Sequence, residues 1–295
     1  MSIKYSICIC NYNMQDTIER SLLSILEQIN SEFEVVLVDD GSTDKSVDIV
    51  RKLQHKYQNI NLVQLERNRN RKLGFTRNIG IKNAKGKYVI LHLDCDDICG
   101  PYLQDFVNVF ISIKDCLKRD FLLSGKHIHI ARRDFLIEHG PFVNIYRGED
   151  REFWNRMKLI NAHIEIDHKR FIQEIPRKRN IILRKGLLDT WDHLVTDFRS
   201  GNKLIPFLYQ NLFVNVNFSM KIKLYRALIA PFAAVFAIMK GRYQHSLKYS
   251  YFVQNEESYK RLHGSYADIM KQLGCNQDLH FISTSNRHIF EDMPL

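Results

Sequence analysis

Glycine and proline are scarce, with 13 and 6 among 295 residues, which excludes a collagen-like or low-complexity chain. With 45% hydrophobic and 26% charged residues the composition is that of a folded protein, long enough for one large domain or two unequal ones. Cysteine is sparse too. Its six positions (Cys8, Cys10, Cys95, Cys99, Cys116 and Cys275) form no CxxC pair with a second pair downstream, which argues against a zinc module and leaves a reducing cytoplasm as the simpler setting. No apolar run reaches the about 18 uninterrupted residues of a membrane span; Leu224 to Met239 comes nearest, with Arg226 inside it. The N-terminal apolar stretch is too short for a secretory signal, so export is not expected. Acid is the minority charge. The net +10 favours anionic partners, whether nucleotides, nucleic acid or an acidic membrane face.

What is present is an alternating pattern. Tyr5 to Cys10, Phe33 to Val38 and Tyr88 to Leu93 are apolar without clean alternation, as buried parallel strands are. Helical periodicity covers Thr17 to Ile29, Lys45 to Tyr57 and Leu73 to Asn83, with a weaker strand at Asn61 to Leu65. The order βαβαβαβ with right-handed crossovers predicts a mostly parallel sheet flanked by helices, with ligands at the carboxyl ends of its strands. Beyond Asp97 a helix is expected from Pro101 to about Lys114, strands near Phe121 and Ile128, and a helix opening near Gly148. Lys169 to Lys185 holds seven basic residues against the single acid Glu174, and a helical stretch follows from Gly186 to Gly201. Composition shifts near residue 200. Leu204 to Phe218 and Leu224 to Met239 are apolar, with Lys221 and Lys223 between them, and a polar, Tyr-rich helical tail follows.

Three acidic groups fall where such a sheet would bind. Val38-Asp39-Asp40-Gly41-Ser42-Thr43-Asp44 ends a strand in two carboxylates, a glycine turn and a helix-capping hydroxyl. It reads either as a capped turn or as a carboxylate accepting from a nucleobase imide. Asp94-Cys95-Asp96-Asp97 ends another strand; three carboxylates so close are either a solvated acidic turn or a place for a hard divalent cation. Gly148-Glu149-Asp150 opens a helix, where acids are stabilised by the helix dipole alone.

Taken together, in this order, these residues resemble the family 2 glycosyltransferases with the GT-A nucleotide-sugar fold. The resemblance runs from about Tyr5 to Met157 and includes Ile7-Cys8-Ile9-Cys10-Asn11-Tyr12-Asn13, Thr76-Arg77-Asn78-Ile79-Gly80-Ile81 and Ala84-Lys85-Gly86-Lys87-Tyr88. It departs from the usual Pro-Thr-Tyr-Asn at the first strand, where Cys10 and Asn11 hold the Pro-Thr places. The resemblance implies that Asp40 binds the base, with Asp39 as partner and Cys10 and Tyr12 lining the pocket. By the same resemblance Asp94 touches the ribose and joins the metal site, Asp96 ligates the metal, and Arg77 lies near the nucleotide. Asp150 would be the general base, with Glu149 supporting it or the acceptor. The implied cofactor is Mn2+ or Mg2+. The implied reaction is inverting transfer from a UDP- or GDP-sugar to a glycan or lipid-linked acceptor.

The expected organisation is an α/β GT-A catalytic domain over residues 1–200, with a nucleotide-sugar half (1–100) and an acceptor half (101–200), then a helical C-terminal extension (201–295). A nucleotidyltransferase on a similar sheet is the enzymatic rival, but Cys10 to Gln15 contains no phosphate-loop glycine. A catalytically silent nucleotide-binding scaffold is the other. Arg67 to Lys72 lacks the interleaved aromatics of a nucleic-acid surface, so it is either a solvated loop or an attractor for a diphosphate, and no nucleic-acid partner is expected. His127 and His129, at strand spacing, read as surface or core histidines before ligands. Phe153 and Trp154 read as core before sugar-stacking platforms. The basic run and the two apolar segments suggest a cytoplasmic enzyme held peripherally at an anionic membrane face. The alternative is that both segments pack on the catalytic domain or form a homodimer interface.

Overall fold

The computed structural model describes residues 2–145, 148–175, 183–214, 219–243, 262–276 and 278–291, without the side chains of 92 and 183–187. Strands and helices alternate first: β1 (Tyr5–Asn11), α1 (Ile18–Leu26), β2 (Phe33–Asp39), α2 (Ser46–Lys56), β3 (Ile60–Gln64), α3 (Leu73–Asn83) and β4 (Tyr88–Asp94). Successive side chains of a strand point to opposite faces, so an apolar run feeds two cores at once. Ile7, Ile9, Val35, Leu37 and Ile90 pack with Ile18 and Leu22 of α1. Cys8, Val36, Val38, Val89 and Leu91 pack with Ile81 of α3 on the other face.

The second half contributes β5 (Asp97–Cys99), α4 (Leu103–Leu117), β6 (Leu122–Gly125), β7 (Ile128–Arg132), α5 (Arg133–His139), α6 (Glu149–Leu159), β8 (His163–Ile166), β9 (Ile172–Glu174) and α7 (Leu183–Arg199). Then come α8 (Leu204–Tyr209), a π turn (Gln210–Val214), α9 (Met220–Lys240), β10 (Leu262–Gly264) and α10 (Tyr266–Gln272). The eight-stranded sheet has the order β10-β8-β6-β7-β4-β1-β2-β3, and β5 pairs with β9 in a separate ribbon. Within the sheet only β7 runs antiparallel to its neighbours, β4 and β6. The strand order reverses at β1, whose neighbours are β2 and β4, and the register sets Asn11 beside Asp39 and Cys10 beside Asp94. That reversal opens a crevice at the carboxyl edge.

Several expectations change. His127 lies in the β6–β7 turn with a left-handed φ of 63°, so it does not share a strand face with buried His129. Residues after 261 are not part of a helical extension. β10 adds in parallel to β8, and α10, opened by a Ser265–Asp268 capping box, packs on α4 through a 2.8 Å bond between the Ser112 and Tyr266 hydroxyls. A three-residue strand is too short to show periodicity. Cys116 and Cys275 are joined as a disulfide across 159 residues, a pairing that spacing alone does not reveal and that runs against the reducing setting read from the sparse cysteines. Of the basic run, Arg177, Lys178, Arg179 and the side chains of Arg184 and Lys185 lie outside the described residues, as do 215–218 and most of the Tyr-rich tail.

Two buried polar groups hold the part of the chain beyond residue 100 together. Arg156 of α6 pairs with Glu152 at 2.8 Å, both side chains fully buried, and donates to the carbonyls of His139 and Pro141, fixing the turn that precedes α6. We expect Arg156→Ala to cost about 3–5 kcal/mol in urea unfolding, because it breaks a fully buried ion pair with Glu152; a loss below about 1 kcal/mol would contradict this role. His168 accepts from the Lys126 N–H and faces the Lys169 carbonyl, each at 2.8 Å, among Phe106, Phe171 and Phe290. Burial lowers its pKa from 6.5 to about 4. The unfolded chain therefore takes up a proton before the folded one, and stability that is complete above pH 6.5 falls as the pH drops towards 4. We expect a loss of about 3 kcal/mol over that window relative to His168→Gln, measured by chemical denaturation at each pH.

Candidate active site

The first acidic turn divides its two carboxylates between different tasks. Asp39 is fully buried; its Oδ1 accepts from Asn11 Nδ2 (2.6 Å) and Ser42 Oγ (2.5 Å), and its Oδ2 from the Ser42 N–H (3.0 Å). Asp39, expected to partner Asp40 at the base, thus spends both oxygens on holding the turn. Glycine is required at Gly41, where φ is 76° and a Cβ would stand 2.7 Å from the Arg67 nitrogen. Asp40 points the other way, bonded to Arg67 (3.1 Å) and Arg71 (2.5 Å). The Arg67 guanidinium lies 4.3 Å from the ring centroid of Tyr12. Arg67, whose side chain is still 44% exposed, and Arg71 are thus engaged by Asp40, a contact for which the basic residues at 67–72 are the one sequence signal.

The second group also separates. Asp94 remains 43% exposed, whereas Asp96 and Asp97 are buried. Asp97 accepts from the Asp94 N–H at 3.0 Å, and the Asp96 carbonyl accepts from the Ile175 N–H beside the β5–β9 ribbon. Among the described residues no three His, Cys, Asp or Glu side chains form a ready-made metal cage. The donors here are hard carboxylate oxygens, and Asp94 is open to the crevice. That set fits Mg2+ or Mn2+ bound through one or two carboxylates, with phosphate and water completing the shell.

Arg77 joins the two halves. Delivered by α3 and buried, it bonds Glu149 at 3.0 Å and lies 3.9 Å from Asp94. Burial opposes its charge, but Glu149 and then Asp94 raise its pKa above the ordinary value. Burial likewise pushes the Glu149 carboxyl up against the pull of Arg77. Cys10, at the tip of β1, has its thiol pushed up to about 12 by burial, so it is a neutral wall and no nucleophile.

Asp150 follows Glu149 in the first turn of α6. Gly148 before it has φ of 81°, and a Cβ there would meet Thr196 of α7 at 2.9 Å. Asp150 Oδ1 accepts from the Arg151 N–H at 2.7 Å, and Asp150 lines a small cavity with Arg77, His129, Phe142, Phe153 and Trp154. Phe153 is core, as expected. Trp154 is half-buried beside the His129 ring, 4.9 Å between centroids. The helix expected over Gly186 to Gly201 is α7, but its place at the site was not foreseen. Asp197 pairs with Arg151 at 3.3 Å, and burial pushes its carboxyl up while Arg151 and Arg226 oppose.

Residues 6–119 match glycosyl transferase family 2. A relative from Escherichia coli, named UDP-Glc:alpha-D-GlcNAc-diphosphoundecaprenol beta-1,3-glucosyltransferase WfaP, is 30% identical over 270 residues, covering 83% of this chain and 96% of the relative. A glycosyltransferase from Nostoc sp. is 38% identical over 109 residues, 37% of this chain. The chain spans one third or less of the length of the first curated relatives it matches, 33% and 16%. The mannosyltransferase PcManGT from Pyrobaculum calidifontis, in complex with GDP-Man and Mn2+, shares the fold with a TM-score of 0.57 at 18% identity, over 85% of this chain and 79% of that one. The mostly parallel sheet with flanking helices is thus the GT-A fold. With an alignment running along nearly the whole of the Escherichia coli relative, the chain belongs to the family 2 glycosyltransferases.

Proposed function

We propose that the protein transfers a sugar, with inversion, from a UDP- or GDP-sugar to a glycan or lipid-linked acceptor. The observation that supports this most is the convergence on Arg77 of Asp94, from the nucleotide half, and of Glu149, the neighbour of Asp150. Asp40, released from Arg67 and Arg71, accepts from the base while Tyr12 and Cys10 wall the pocket, and Asp94 meets the ribose. As the acceptor oxygen attacks the anomeric carbon, Asp150 takes its proton and the bond from that carbon to the diphosphate oxygen breaks. A single displacement inverts the centre. Arg77 opposes the protonation that burial favours at Glu149 and balances the charge gathering on the departing diphosphate. A divalent cation held by Asp96 with Asp94 would act as a Lewis acid on that leaving group.

The relative WfaP is named for a UDP-Glc donor and a diphosphoundecaprenol acceptor, which supports a lipid-linked acceptor of the same kind here. Such an acceptor places the work in the cytoplasm, with the enzyme peripheral at the inner face of the membrane. Release of nucleoside diphosphate together with labelled acceptor, across a panel of nucleotide sugars, tests the reading; hydrolysis without transfer, or no turnover with any donor, would overturn it.

Asp150→Asn should leave donor affinity intact and lower transfer by about two to four orders of magnitude. Near-normal turnover in that variant would remove Asp150 from the mechanism. For Asp96→Ala we expect metal-dependent donor binding to disappear in titration calorimetry, while unchanged affinity with and without Mn2+ would refute its role.

A further inference from the structure

Helix α9 is inside out. On a water-soluble body a helix turns its large apolar side chains inward and its polar ones outward. Here the covered face is Arg226, Ala230, Ala233 and Ala237, packed on Leu194, Val195 and Phe198 of α7. Leu224, Leu228, Phe232, Val235 and Met239 form the opposite stripe, with Leu228 69% and Met239 78% exposed. The adjoining α8 and π turn expose Ile205, Tyr209 and Phe213 at helical spacing. A soluble surface seldom shows so continuous an apolar face.

Charge is one-sided as well. Between Asp197 and Glu256 the chain has no acidic residue, while Lys203 precedes α8 and Lys221, Lys223, Lys240 and Arg242 lie at the two ends of α9. We propose that the α8–α9 face docks in plane on a bilayer leaflet bearing anionic headgroups, with the stripe in the acyl boundary and the lysines among the headgroups. The inference rests on the transferase reading for its purpose, which is to hold the Asp150 crevice over an acceptor carried in the same leaflet. α9, at 21 residues, has the length and apolarity of a span. Its alanine face is taken by α7, however, and crossing would draw Asp189, Asp192 and Arg199 of α7 into hydrocarbon. A second copy seated on this face would set these lysines against their like.

Flotation of full-length protein with phosphatidylcholine vesicles, with and without phosphatidylglycerol, tests the docking with no donor or acceptor present. Strong flotation is expected only with the anionic lipid. Leu228→Glu/Phe232→Glu should abolish it at an unchanged thermal midpoint, because both side chains are exposed. Lys221→Gln/Lys240→Gln should weaken partitioning about 25-fold, roughly fivefold per lysine. Wild-type protein that ignores anionic vesicles, or either variant floating like wild type, would overturn the proposal. So would a soluble dimer that the glutamates split, which assigns the face to a second copy, or resistance to alkaline carbonate, which assigns it to a span. Flotation with no transfer even to a water-soluble acceptor would leave docking supported and overturn the transferase reading instead.

Discussion

The site depends on one buried cation. Arg77 sits where burial would drive out a charge, and it stays because Glu149 and Asp94 stand on either side of it. Remove the guanidinium and the carboxyl edge loses the cation that bonds Glu149 and stands beside Asp94. The pairing also fixes distance between elements far apart in the chain, since α3 brings the cation, β4 one acid and α6 the other. The register of β1 with β2 and β4 delivers Asp39 and Asp94 level with its own tip. Arg77 then sets α6, and with it Asp150, against that row.

What was legible in the sequence follows from range. β1, β2 and β4 could be read because each apolar run feeds both cores and carries its own signal. Asp40, Asp94 and Asp150 could be singled out as candidates because strand tips and helix starts announce themselves through local turn chemistry. The contacts that divide their labour could not. Nothing in Asp39-Asp40 says which carboxylate turns inward; that is decided by Asn11, 28 residues earlier, and by Arg67 and Arg71, which come later. β8 and β10 are four and three residues long, so their places in the sheet come from pairing and not from pattern.

The same reasoning explains why α7 was overlooked as part of the site. Its sequence reads as an ordinary amphipathic helix, and its connection to chemistry exists only in three dimensions. Thr196 fills the space above Gly148, which has no Cβ to resist it, and Asp197 binds the side chain of Arg151, whose N–H holds Asp150. A left-handed glycine at the start of α6 therefore does two things at once, turning the chain and admitting a neighbouring helix.

Hydropathy counts alanine and leucine alike as apolar, so a window over α9 cannot say which of them is covered. Packing separates them: the small residues allow close approach to α7, and the large ones are left outside. Because α7 also touches α6, a surface that engages α9 is engaged, through two helix contacts, with the helix that carries Asp150. Close packing transmits position with little slack. The outward stripe and the carboxylate crevice are thus linked through the contacts of α9 with α7 and of α7 with α6.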